Sequence, residues 1–124
     1  MTTFKAEINQ LHAQVCSGLA DPNRILILYT LAERPFNVSE LAEVLDIPQP
    51  TVSRHLKILR ERGMVFFKRE GQAVFYSLAD IRVIEALDLL RAVLASGLQN
   101  QGELAQSVRQ DESFAQKKIV GVDL

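Results

Sequence analysis

With 124 residues, 48% of them hydrophobic and 23% charged, the chain has the make-up of an ordinary globular protein and the size of one domain around one core. Its single cysteine excludes an intrachain disulfide. No apolar run reaches the length of a membrane span, and the opening MTTFKAEINQ lacks a signal peptide's apolar core, so a cytoplasmic protein with no membrane partner is expected.

Phe4, Ile8, Leu11, Val15 and Leu19 recur at steps of three and four residues, which places them on one stripe of an N-terminal helix. Asp21-Pro22 opens a second helix running through Leu31, since aspartate is a strong N-cap and proline fits a first turn whose amides have no partner. Asn37 and Glu40 have the spacing of a capping box, and Val38, Leu41, Ala42 and Leu45 give the helix after them one apolar face. Asp46-Ile47-Pro48 ends that helix, because proline disfavours a helical residue before it. A further helix starts near Gln49-Pro50. Val52, Leu56 and Leu59 form its buried stripe, while Pro50, Ser53, Arg54 and Lys57 lie opposite. Arg60, Arg62 and Gly63 mark its end, where cations suit the dipole and glycine takes the left-handed cap. Two short helices joined in this way form a helix-turn-helix, with the second shaped to read a major groove.

Val65 to Lys68 and Ala73 to Leu78 are rich in β-branched and aromatic residues, with Glu70-Gly71-Gln72 as a turn between them. They predict a hairpin tipped by Lys68 and Arg69, and therefore a winged helix. The formal net charge of −1 is unevenly spread. From Pro48 to Ser77 the cations Arg54, Lys57, Arg60, Arg62, Lys68 and Arg69 face only Glu61 and Glu70, a local +4 on a body of −5. Phosphate binding depends on the local field, so a basic motif on an acidic body suits DNA.

A last long helix is predicted from Ile81 to Leu98. Ile81, Ile84, Leu87, Leu90, Leu94 and Leu98 form its apolar band, widened by Val83, Leu89 and Val93. That band is broader than one side of a small winged core can cover, which points to a homodimer built on both terminal helices. Packing within a single chain is the plainer alternative. The expected organisation is a mainly α, dimeric winged helix-turn-helix over residues 1–100. Residues 101–124 form a polar, partly disordered tail with a short helix around Glu103 to Val108.

Three segments, LADPNRILILYTLAE, VSELAEVLDIPQPTVSRHLKILRERGMV and REGQAVFYSL, resemble in sequence and order the ArsR/SmtB family of bacterial winged-helix repressors. The resemblance runs from about Leu19 to Leu98. It implies a homodimer that binds double-stranded DNA at an imperfect inverted repeat and is released by an inducer, often a metal ion or metalloid.

The sensor positions depart from the family's pattern. Asn37, Val38 and Ser39 stand where metalloid-responsive members carry a Cys-Val-Cys cluster. The last helix keeps Asp80, expected as its N-cap, with Glu85 and Asp88 but no histidine. Zinc and soft metals need thiolate or imidazole ligands in sets of three or four, so no metal site and no cofactor is expected from one protomer. Cys16, four residues after His12 on one helix flank, is the remaining candidate sensor. It reads either as a thiol activated by the imidazole or as a small residue packed in a dimer interface, and packing is the favoured reading. His55 lies beside the core stripe, where it packs or touches a phosphate.

No phosphate loop, nucleophile elbow or metalloprotease motif occurs, so the chain reads as a non-enzyme. Gln49, Thr51, Ser53 and Arg54 are expected to approach base edges. Lys57 and Arg60 fall to phosphates, and Lys68, Arg69 and Gln72 to the wing. Family members commonly have a serine cap where Pro48 stands, so the first-turn amides here are expected to turn to water, Gln49 or DNA phosphate. The competing function is a winged-helix protein-interaction module that does not touch DNA.

Overall fold

A computed structural model describes residues 2–100. The expected tail helix and polar tail lie outside the described residues. The chain divides into two compact units, Met1–Ile81 and Arg82–Leu124.

The first unit opens with α1 (Thr2–Gln10), which passes directly into a π-helical turn, Leu11–Cys16. There the Ser17 amide donates to the His12 carbonyl at 3.0 Å, five residues back. This widening was not legible in the apolar spacing, and such single π turns concentrate at functional sites. Asp21 then caps α2 (Pro22–Leu31), accepting the Asn23 amide at 2.8 Å.

The capping box predicted for α3 (Val38–Leu45) is present in both directions: the Glu40 amide donates to Asn37 Oδ1 at 2.8 Å, and the Asn37 amide to Glu40 Oε1 at 3.0 Å. Asp46 closes that helix in the left-handed region at φ 54°. After the turn, α4 (Gln49–Glu61) carries Pro50 in its first turn, and Gly63 follows its cap residue Arg62 with φ 76°.

Leu41, Val52, Leu56 and Leu59 are wholly buried, together with Ile27 and Leu28 of α2. One face each of α2, α3 and α4 therefore builds the core, and β1 (Val65–Glu70) packs along α4. The predicted stripe of α4 is borne out in full. In α3 only Leu41 is fully buried, because a helix of 8 residues can seat only its centre in so small a core.

The hairpin pairs β1 with β2 (Ala73–Leu78) in antiparallel register, from Val65 opposite Leu78 to Glu70 opposite Ala73. Its loop is only Gly71–Gln72, shorter than the expected turn, so Arg69 and Glu70 belong to the strand. Gly71 at φ 63° supplies the positive dihedral that a two-residue hairpin loop needs. Phe36 adds a short third rung, exchanging both backbone hydrogen bonds with Tyr76 at 2.8 and 3.1 Å. The sequence pattern held no sign of that rung.

In the second unit, α5 spans Arg82–Asn100, starting one residue after and ending two residues beyond the expected Ile81 to Leu98. It exposes Leu89, Leu90, Val93 and Leu94, while Ile84 and Leu87 are buried. Among the described residues, no helix is long and apolar enough to cross a membrane.

Candidate nucleic-acid interface

Helix α4 separates its side chains cleanly. Val52, Leu56 and Leu59 face the core, and Ser53, Arg54, Lys57 and Arg60 are exposed on the other side. Three and four residues separate neighbours on a helix face, so sequence spacing alone produces this basic, hydroxyl-bearing strip.

At the start of α4, Gln49 Nε2 donates to Ser39 Oγ at 2.9 Å and ties the two motif helices together. Pro48 gives no side-chain cap. Pro50, however, has no amide to satisfy, and the Thr51 and Val52 amides reach the Pro48 carbonyl at 3.0 Å each. The missing serine therefore leaves little unpaired. Thr51 is half-buried, while Gln49 is exposed.

At the other end, the Arg60 guanidinium stands over the Phe67 ring, 5.2 Å from its centroid, and couples the helix to the wing by a cation–π contact. Phe67 also meets Tyr76 across the strands at 5.7 Å. Lys68, Arg69 and Gln72 are all exposed. Lys68 and Arg69 are consecutive in a strand and so leave the hairpin from opposite faces. Both residues lie within β1 and not at the tip where the sequence pattern predicts them.

His55 is buried at 4% exposure, so it does not reach a phosphate. Arg24 Nη1 lies 3.3 Å from His55 Nδ1, and Asp21 Oδ1 lies 3.9 Å from His55 Nε2. Burial lowers the imidazole pKa from its ordinary 6.5; Asp21 opposes this, and Arg24 and Arg54 reinforce it. For Asp21 desolvation acts upward, but the Asn23 amide, His55 and Arg24 outweigh it and hold the carboxyl below its ordinary value.

Cys16 and His12 are both exposed on the π turn. Among the described residues, the core does not bury the thiol. Among the described residues, no group of three or more His, Cys, Asp or Glu is gathered to hold a metal ion.

A short helix, a tight turn, a second helix with a basic outer strip and a two-stranded wing define a winged helix-turn-helix of the type that lays its second helix in the major groove. Residues 21–65 match the model of the family described as bacterial regulatory protein, arsR family. The chain is also 40% identical over 82 residues to the biofilm growth-associated repressor of Agrobacterium fabrum, covering 66% of this chain and 70% of that protein. It belongs to the arsR family and is a winged-helix transcriptional regulator.

The HTH-type transcriptional regulator NmtR of Mycobacterium tuberculosis is similar at 41% identity over 83 residues, or 64% of this chain and 69% of that one. Among solved structures, a homodimeric winged helix-turn-helix DNA-binding domain from Mycobacterium bovis, a possible ArsR-family regulator, superposes with a TM-score of 0.67. It is 29% identical, over 78% of this chain and 89% of that one.

Proposed function

We propose that the protein is a homodimeric repressor that binds an imperfect inverted repeat in double-stranded DNA and is released by a small inducer. One observation carries this reading: the exposed strip Ser53, Arg54, Lys57 and Arg60 lies on the helix face opposite a wholly buried stripe, and a basic wing follows. Gln49, Thr51, Ser53 and Arg54 would meet base edges, Lys57 and Arg60 phosphates, and Lys68, Arg69 and Gln72 the DNA beside the groove. The activity is binding, with no catalytic step.

Dimerisation is supported by apolar side chains left in water by a single chain. Phe4, Ile8 and Leu11 are 63%, 42% and 46% exposed, and Leu90, Val93 and Leu94 are 61%, 68% and 60% exposed. The homodimeric relative from Mycobacterium bovis supports the same assembly. A thiol-reactive inducer would act on Cys16, the one cysteine of the chain, with His12 on the same turn.

Footprinting on selected operators tests the proposal. Two half-sites centred about one or two helical turns apart are expected. Monomer binding at one asymmetric site would defeat the dimer reading. Lack of salt-dependent binding to any duplex would leave a protein-interaction module instead. Lys68→Ala is expected to weaken operator and random DNA alike and to make the salt slope shallower by about one unit. A loss confined to the operator would mean that Lys68 reads sequence.

A further inference from the structure

The N-terminal turn and the recognition helix α4 are joined by hydrogen bonds that the DNA-facing strip does not use. Arg24 commits each guanidinium nitrogen: Nε donates to the Gly18 carbonyl at 2.8 Å, Nη2 to the Ser17 carbonyl at 3.3 Å, and Nη1 contacts His55 Nδ1 at 3.3 Å. Two turns further along α4, Arg62 Nη1 donates to the carbonyls of Ala13 and Gln14, and Gln14 Nε2 donates back to the Arg62 carbonyl at 3.4 Å. Carbonyls at a helix C-terminus lack intrahelical partners and sit at the negative end of its dipole, so arginine donors suit them. Gly18 is buried in this joint, where an added Cβ would stand 2.9 Å from Arg62 Cδ.

Arginine only donates, so His55 Nδ1 must accept. In that arrangement the ring is neutral and carries its hydrogen on Nε2, the nitrogen 3.9 Å from Asp21 Oδ1. A proton added at Nδ1 would remove the lone pair that Arg24 uses. It would also set an imidazolium against a guanidinium and strengthen the pull of Asp21 on the other side of the ring. The charged groups acting on the ring are Asp21 and Arg24, from the cap and first turn of α2, and Arg54 of α4. Among the described residues, none from α3 or the hairpin does so.

We propose that Arg24 and His55 are positioning residues forming a proton-sensitive joint between α4 and the N-terminal turn, so that acidification weakens operator binding. This rests on the dimeric operator-binding reading and deepens it. The N-terminal helix carries part of the apolar face assigned to the dimer, so the joint sets where each recognition helix stands relative to the dimer axis.

The test is a titration of the parent, His55→Asn and Arg24→Lys against a selected operator and a random duplex, from about pH 8 to about pH 5, with circular dichroism at each step. Added positive charge by itself tightens binding to any DNA. The joint predicts the opposite sign for the operator: a loss of about tenfold for the parent, within the range of such couplings, with no weakening on random DNA. Asparagine places its Oδ1 acceptor near the position of Nδ1 and does not titrate. His55→Asn is therefore expected to match the parent at high pH and to lose the acid effect. Lysine keeps the charge but cannot span the same acceptors, and Arg24→Lys is expected to bind the operator about tenfold more weakly throughout.

Operator affinity that holds or rises with acid in the parent, or coincident profiles for the parent and His55→Asn, would overturn the joint. So would a loss that tracks the loss of helical signal, since the proton would then act on the fold. The parent's two titrations decide the matter even where a variant fails to fold. Failure of the parent to bind any operator at high pH would remove the functional reading and the joint with it, whereas the pH outcomes bear on the joint alone.

Discussion

Leu56→Ala is expected to destabilise the protein by about 2–5 kcal/mol, the range for truncating a large aliphatic side chain in a core. Leu56 has 0% exposure and sits mid-way along α4, which packs on α2, α3 and β1. The cost has two parts, the lost transfer of the removed methyl groups from water and the cavity that the packed elements cannot close. Against a domain stability of about 5–15 kcal/mol, such a loss depletes the folded state and operator binding together. Urea denaturation measures it, and Val44→Ala serves as the contrast, because Val44 is 60% exposed and should shift stability by no more than about 0.5 kcal/mol. Equal effects at the two positions would mean that the α4 stripe is not the core.

Arg54→Ala is expected to weaken operator binding by about 1–3 kcal/mol while leaving stability nearly unchanged. Arg54 is exposed on the outer strip of α4, one residue before the buried His55 and two before Leu56, so its backbone is fixed while its guanidinium is free to enter a groove. A guanidinium meets the two acceptors of a guanine edge in a paired geometry that water matches poorly. The loss should therefore be larger on the operator than on random DNA and should relax the preference at one base position. Equal losses on both would make Arg54 a backbone contact.

Much of this fold is legible in the sequence because its determinants are local. The Asn37–Glu40 capping box, the Asp21-Pro22 helix start, Gly63 at the end of α4 and the period of Val52, Leu56 and Leu59 each act over a few residues. Each recurs in the structure as read. The outer strip of α4 follows automatically, because burying one side of a helix exposes the other.

What escaped the reading depends on partners distant in the chain. The Phe36–Tyr76 rung joins residues far apart in sequence, and no periodicity marks a single bridged residue. The π turn was hidden because an apolar stripe at steps of three and four tolerates a local widening of the helix. His55 was placed beside the core stripe, but its partners Asp21 and Arg24 belong to another helix. Only their approach turns a flank histidine into a buried ring held between Arg24 and Asp21.

The sequence by itself determined the helix-turn-helix, the wing and the basic strip, since caps, turns and helical period are encoded in short stretches and one buried face fixes the other. Tertiary structure alone decided that Lys68 and Arg69 leave the wing from opposite faces, because that depends on how far the strand runs before its turn. It alone also decided that Arg24 meets His55 of the recognition helix and that Arg62 reaches back to the N-terminal turn. Hydrogen bonds between segments tens of residues apart exist only once hydrophobic burial has brought those segments together, and single-chain patterning carries no record of them.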